Sequence, residues 1–141
     1  MDIKEELKKY TNEFFEKHWC IQKIQAPPPQ WSQEYYLKGC MPNHDKQGVY
    51  AFLTEKEVIY IGVGASRGSG RYRGHGLGKR IQGYTRCIGK DLYEATDQKL
   101  KDADSIVTLG FEQEYSYLAL ALESFLISRL SPKYNKNVPG S

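Results

Sequence analysis

The segment from Gly48 to Val63 constrains this chain more than any other. Val49, Ala51 and Leu53 alternate with Tyr50, Phe52 and Thr54; after the polar break Glu55-Lys56-Glu57, Ile59, Ile61 and Val63 alternate with Val58, Tyr60 and Gly62. A period of two puts alternate residues on opposite faces of a strand. Two such runs around a short polar break predict a β-hairpin. With Thr54 set against Val58, Tyr50 stands opposite Gly62 and Phe52 opposite Tyr60. The aliphatic set falls on one face, and Tyr50 and Tyr60 share the other as diagonal neighbours, roughly 7–8 Å apart at the backbone.

The rest of the chain supplies partners for that hairpin. Residues 2–18 predict a helix, because Ile3, Leu7, Tyr10, Phe14 and Phe15 recur at helical spacing between charges. Pro27-Pro28-Pro29 enforces an extended connector. Residues 30–46 read as irregular, with one short helix near 31–38. Residues 64–78 form a loop rich in Gly and Arg, residues 77–88 a helix, and residues 91–103 a charged helical stretch. Ser105 to Phe111 predicts a third strand, and Glu114 to Leu130 the strongest helix, stopped before Pro132. The expected fold is α+β, an α/β sandwich: a small three-stranded, mainly antiparallel sheet flanked by helices. Residues 1–45 would be a helical extension packed on a domain spanning 46–141.

Composition narrows the class. The 141 residues suit one domain, and 40% apolar with 26% charged residues suits a globular rather than a disordered chain. No apolar run is long enough to span a bilayer, and Met1-Asp2-Ile3-Lys4-Glu5-Glu6 has no secretory character. Three cysteines, Cys20, Cys40 and Cys87, favour reduced thiols. The expected location is therefore cytoplasmic or nucleoid-associated, not secreted. Between Val63 and Lys90 stand Arg67, Arg71, Arg73, Lys79, Arg80, Arg86 and Lys90 with no Asp or Glu, while the whole chain carries only +3, so the remainder is net negative. One face would then attract a polyanion, unless the stretch is simply a solvated basic loop.

Two observations carry chemistry. In the last helix Ala119, Leu120, Leu126, Ile127 and Leu130 share a face, and Glu123 falls on it. A carboxylate there is costly unless a cation or donors meet it. A metal ion would do so; so would an edge position reaching water, or a salt bridge to an Arg. Arg80 and Tyr84 form an i, i+4 pair on the preceding helix. A guanidinium there suits a phosphoryl oxygen, or it packs on the aromatic ring at the surface.

Together these residues resemble the GIY-YIG endonucleases. Gly48-Val49-Tyr50 and Tyr60-Ile61-Gly62 are similar to the family's defining pair, with Val for the first Ile and ten residues between the tyrosines. Arg80 followed by Tyr84 resembles the helix-borne Arg with an aromatic one turn on, although Arg71, Arg73 or Arg86 would also serve. Glu123 resembles the metal-binding Glu, and Pro132-Lys133-Tyr134-Asn135 the closing pattern, with Asn135 twelve residues after Glu123. The likeness spans roughly residues 46–137; the stretch from Gly62 to Arg80 is longer than in compact members, and residues 1–45 have no counterpart.

The resemblance implies hydrolysis of DNA phosphodiesters with one Mg²⁺ or Mn²⁺ on Glu123. Arg80 would bind a non-bridging oxygen, and Tyr50 would activate water. A free phenol has a pKa of about 10, so nearby cations must assist it. Tyr60 and Tyr84 would orient water or phosphate, and Asn135 would hold the site together. Arg67, Arg71, Arg73, Lys79 and Arg86 would contact the DNA backbone. Restriction, mobile-element or phage processing, and repair all fit, and a dimer is expected if both strands are cut. The competing reading is a non-catalytic nucleic-acid-binding domain on the same fold. A nucleotide-binding enzyme is disfavoured: Gly62-Val63-Gly64 meets Arg67 where a third Gly is required, and Gly78-Lys79 lacks both the earlier Gly and the following Ser or Thr. His18, Cys20, Cys40 and His44 match no zinc spacing.

Overall fold

A computed structural model describes residues 2–65 and 76–136. The fold is α+β. Its sheet is antiparallel throughout, with strand order β2-β1-β5: β1 is Gln47–Leu53, β2 Val58–Gly64 and β5 Ser105–Phe111. Helix α1, Ile3–His18, and α5, Leu118–Leu130, cover one face. Helix α3, Leu77–Gln82, covers the other. Two further helices are short, α2, Ile21–Ile24, and α4, Gln98–Lys101, and β3, Thr85–Gly89, pairs with β4, Leu92–Ala95, as a separate two-stranded sheet.

Local chemistry explains the helix bounds. The Asp2 side chain accepts the Lys4 N–H at the start of α1, with Glu5 and Glu6 in the first turn and Lys17 and His18 in the last. These charges complement the helix dipole. Helix α5 stops where Ser131 turns left-handed (φ 46°) before Pro132.

The hairpin forms with the expected pairings Tyr50–Gly62 and Phe52–Tyr60, but its end differs. Leu53, not Thr54, pairs with Val58, and Thr54 closes the turn by donating its N–H to the Glu57 carbonyl at 2.9 Å. The longer loop leaves Ile59 as an extra residue in a bulge. Val58 therefore joins Ile61 in the core under α1 and α5, while Ile59 moves to the tyrosine side.

Other expectations need correction. The predicted helix over 77–88 ends at Gln82, and Tyr84 lies beyond it in the turn to β3. The stretch 91–103 is strand β4 followed by one turn of helix. The outer surface of the β3–β4 ribbon meets no core, so no apolar stripe betrays it. Residues 31–38 hold no helix. Instead 32–35 run along the outer edge of β5, with Tyr35 and Ile106 exchanging backbone hydrogen bonds at 2.8 and 3.0 Å. The buried line of α5 is Ala119, Leu122 and Leu126, while Leu120 and Glu123 flank it, half-buried.

The first 45 residues are built into the same core. Leu7, Phe14 and Phe15 are buried with Val49, Leu109, Phe111 and Leu122. Trp31 donates from its indole nitrogen to Thr11 Oγ1 at 2.8 Å. No described helix is long and apolar enough to cross a membrane.

Candidate active site

The second face of the sheet gathers three phenols. Tyr50 comes from the central strand, Tyr60 from the outer strand, and Tyr84 from the turn after α3. Tyr50 is fully buried and shares a 2.9 Å hydroxyl–hydroxyl hydrogen bond with Tyr84. Ring centroids are 6.1 Å apart for Tyr50–Tyr60, 6.0 Å for Tyr50–Tyr84 and 6.4 Å for Tyr60–Tyr84. Phe52 wedges among them, edge-on to Tyr84 at 5.2 Å.

Backbone spacing makes the cluster possible. Gly62 lies directly beneath the Tyr50 ring, and any Cβ there would collide with it. Gly48 lies against the Leu109 carbonyl of β5, where a Cβ would collide with backbone. The outer glycines of the paired motifs thus have distinct physical reasons: one admits a ring, the other a neighbouring strand.

Arg80 joins the cluster from α3. It is exposed on one side, and its guanidinium approaches the Tyr50 hydroxyl and favours the ionised form. Burial acts the other way and dominates. Tyr50 is pushed far above the ordinary tyrosine range, first by desolvation, then by Tyr84 and Tyr60; Arg80 offsets only part of this. Tyr60 is half-buried and pushed up as well, chiefly by desolvation and by Tyr84, with Arg80 again opposing. Among the described groups, desolvation thus outweighs the assistance of Tyr50 by cations that the sequence leads one to expect.

Lys99 adds a cation that the sequence did not single out. Its ammonium lies 5.6 Å from the centroid of the Tyr60 ring and 3.8 Å from the Asp97 carboxylate. Only the fold brings α4 to Tyr60, so no local pattern signals it.

Asn135 is buried and clamps β2. Its side-chain amide donates to the Ile61 carbonyl and its side-chain oxygen accepts the Ile61 N–H, both at 2.9 Å. The Tyr134 N–H donates to the Ile59 carbonyl at 3.0 Å, and the Tyr134 hydroxyl donates to the Asp102 carboxylate. The segment after α5 thus covers the outer edge of β2, which would otherwise be open. Asn135 holds the strand that carries Tyr60.

Glu123 stands on α5, which packs on the opposite face of the sheet, and is half-buried. Phe125 and Arg129 turn toward α1, with Phe14 and Phe125 centroids 5.6 Å apart and Arg129 donating to Glu13 at 3.1 Å. Glu123 lies about 160° around the helix from Phe125, on the flank away from α1. Helix α5 itself packs on β1 and β2. Glu123 supplies one half-buried carboxylate, and no group of three or more His, Cys, Asp and Glu side chains converges among the described residues. This donor set does not suit an all-protein cage. It suits Mg²⁺ or Mn²⁺, which retains waters and takes one or two carboxylates plus phosphate oxygens. His18 stacks on Phe14 at 4.8 Å, and Cys20 and Cys40 are exposed.

The basic residues divide. Lys79 is exposed on α3. Arg86 is ion-paired with Glu94, its opposite number across β3 and β4, so its charge is met within the chain. Arg67, Arg71 and Arg73 lie outside the described residues. Neither a protein-family model nor a curated protein matches the chain.

Proposed function

We propose that the protein is a metal-dependent endonuclease of the GIY-YIG type acting on DNA. One observation carries the reading: Arg80, Tyr84, Tyr50 and Tyr60, distant in sequence, converge on one face of the sheet with a guanidinium at the open side of a phenol cluster. A purely structural core has no need of that combination. A bound phosphate does, because the guanidinium offers parallel donors to a non-bridging oxygen.

Each group then has a role set by its environment. Tyr50 shares a hydroxyl–hydroxyl hydrogen bond with Tyr84 and fixes its position. Tyr60 is more open than Tyr50, and its Oη would receive the proton of the attacking water when ionised. Arg80 favours that phenolate and neutralises the phosphate. Asn135 fixes the height of Tyr60 by pinning Ile61. Glu123 would hold Mg²⁺ or Mn²⁺, which when bound supplies Lewis-acid stabilisation of the departing 3′ oxygen. Lys79 and Lys99 would contact flanking phosphates, with Arg67, Arg71 and Arg73.

The test is incubation of purified protein with supercoiled and branched DNA in Mg²⁺, Mn²⁺ or EDTA. Nicking that needs the metal supports the reading. Binding to DNA without cleavage under all conditions would favour the non-catalytic alternative.

A further inference from the structure

A cavity of about 180 Å³ opens on the flank of α3 away from Arg80. Gly78 and Gln82 line it, whereas Arg80 lies about 160° around the helix from both. One helix therefore separates it from the tyrosine cluster, a span of about 10–12 Å. Its walls are Tyr35, Met41 and Tyr93, and its polar edge is Gln82 and His44.

The walls are held in place. The Gly78 N–H donates to the His44 carbonyl at 3.0 Å and the Leu77 N–H to the Lys46 carbonyl at 2.9 Å. A side chain at Gly78 would meet the His44 backbone at 2.8 Å, so the close approach of α3 to this turn requires glycine. Thr108 donates from its hydroxyl to the Pro42 carbonyl at 2.7 Å. The Tyr35 hydroxyl is committed to the Gly39 carbonyl at 2.8 Å and that of Thr85 to the Ile81 carbonyl. The Gln82 amide and the His44 ring are exposed at the rim, where an entering ligand can reach them.

We propose that this cavity binds a single planar nucleobase, with the ring between aromatic and thioether walls and its polar edge on Gln82 and His44. The volume is below the roughly 300–1,000 Å³ of pockets for drug-sized ligands, which suits a single ring system with the rest of the ligand outside. An amide offers a donor and an acceptor together, which matches the edge of a base. Two sources share this chemistry: a base extruded from a DNA strand held at the tyrosines, and a free base. The first rests on the nuclease reading; the second does not.

The experiment uses the full chain and its Gln82→Ala variant, whose exposed side chain is not needed for folding. Duplexes carrying 2-aminopurine at successive positions are titrated with each protein, and free adenine and cytosine are tested by saturation-transfer NMR. A severalfold fluorescence rise at one or two positions, lost in Gln82→Ala, assigns the pocket to an extruded base. Saturation transfer to a free base, lost in Gln82→Ala, with no duplex signal assigns it to the free ligand. If neither signal depends on Gln82, the proposal is overturned. Wild-type protein that nicks plasmid without either signal overturns the pocket alone. Protein that takes up bases but never nicks overturns the nuclease reading alone.

Discussion

At the scale of single residues, the tyrosine cluster combines tight packing with suppressed ionisation. Gly62 has no room for a side chain, so Gly62→Ala must displace the Tyr50 ring. Overpacking of this kind costs about 1–3 kcal/mol, and urea denaturation should show the lower midpoint; an unchanged midpoint would contradict the packing. Tyr50 and Tyr60 are both raised above the free phenol value. The unfolded phenols release protons near pH 10 while the folded ones retain theirs, so this contribution is whole below about pH 10 and is lost as pH rises beyond it. Urea midpoints from pH 8 to 11 should fall at the alkaline end, and less steeply in Tyr60→Phe. If a Tyr60 phenolate takes the water's proton, single-turnover cleavage should climb with pH throughout the neutral and mildly alkaline range. A plateau near pH 7 would assign the base elsewhere.

At the scale of elements, the paired strands were legible because each alternates and both meet a core. The sequence also placed β5 on the right residues and α1 within a residue of its observed start. The β3–β4 ribbon was not legible. Its outer surface, including Ile88 and Leu92, is exposed, so it carries no burial pattern to read. The bulge at Ile59 depends on a turn one residue longer than alternation suggests, and alternation cannot count turn residues. The site's connections were likewise half-readable. Tyr50, Tyr60 and Arg80 could be found from spacing, whereas Lys99 and the clamp on Ile61 arise from chain segments meeting in space. That clamp makes a sharp prediction. Asn135→Ala leaves the Ile61 N–H and carbonyl without this partner, on the order of 1–3 kcal/mol for each group left buried and unpaired. Hydrogen exchange should rise along β2 more than along β5. Equal protection in both strands would mean that Asn135 holds nothing.

At the scale of the whole molecule, two layers of helix enclose one sheet, and the proposed chemistry draws on both. The tyrosines and Arg80 stand on one face of the sheet, and Glu123 on the helix that packs on the other. Leu7, Phe14 and Phe15 complete the core on the α5 side, and Tyr35 and Met41 pack on the tyrosine side: Phe14→Ala should cost about 3–5 kcal/mol. A loss of stability below one tenth of that size would contradict the packing of α1 in the core. The central claim is that Arg80 and Glu123 serve one transition state despite their separate origins. The direct measurement is the single-turnover rate of DNA cleavage for wild type, Arg80→Ala, Glu123→Ala and the double variant, in Mg²⁺ or Mn²⁺. Each single substitution should slow cleavage by about 10²–10³-fold. Groups acting as a unit are strongly non-additive, so the double variant should be little slower than the worse single one. Cleavage by Glu123→Ala at the wild-type rate, or a double variant slowed by the full product of the two effects, would contradict it.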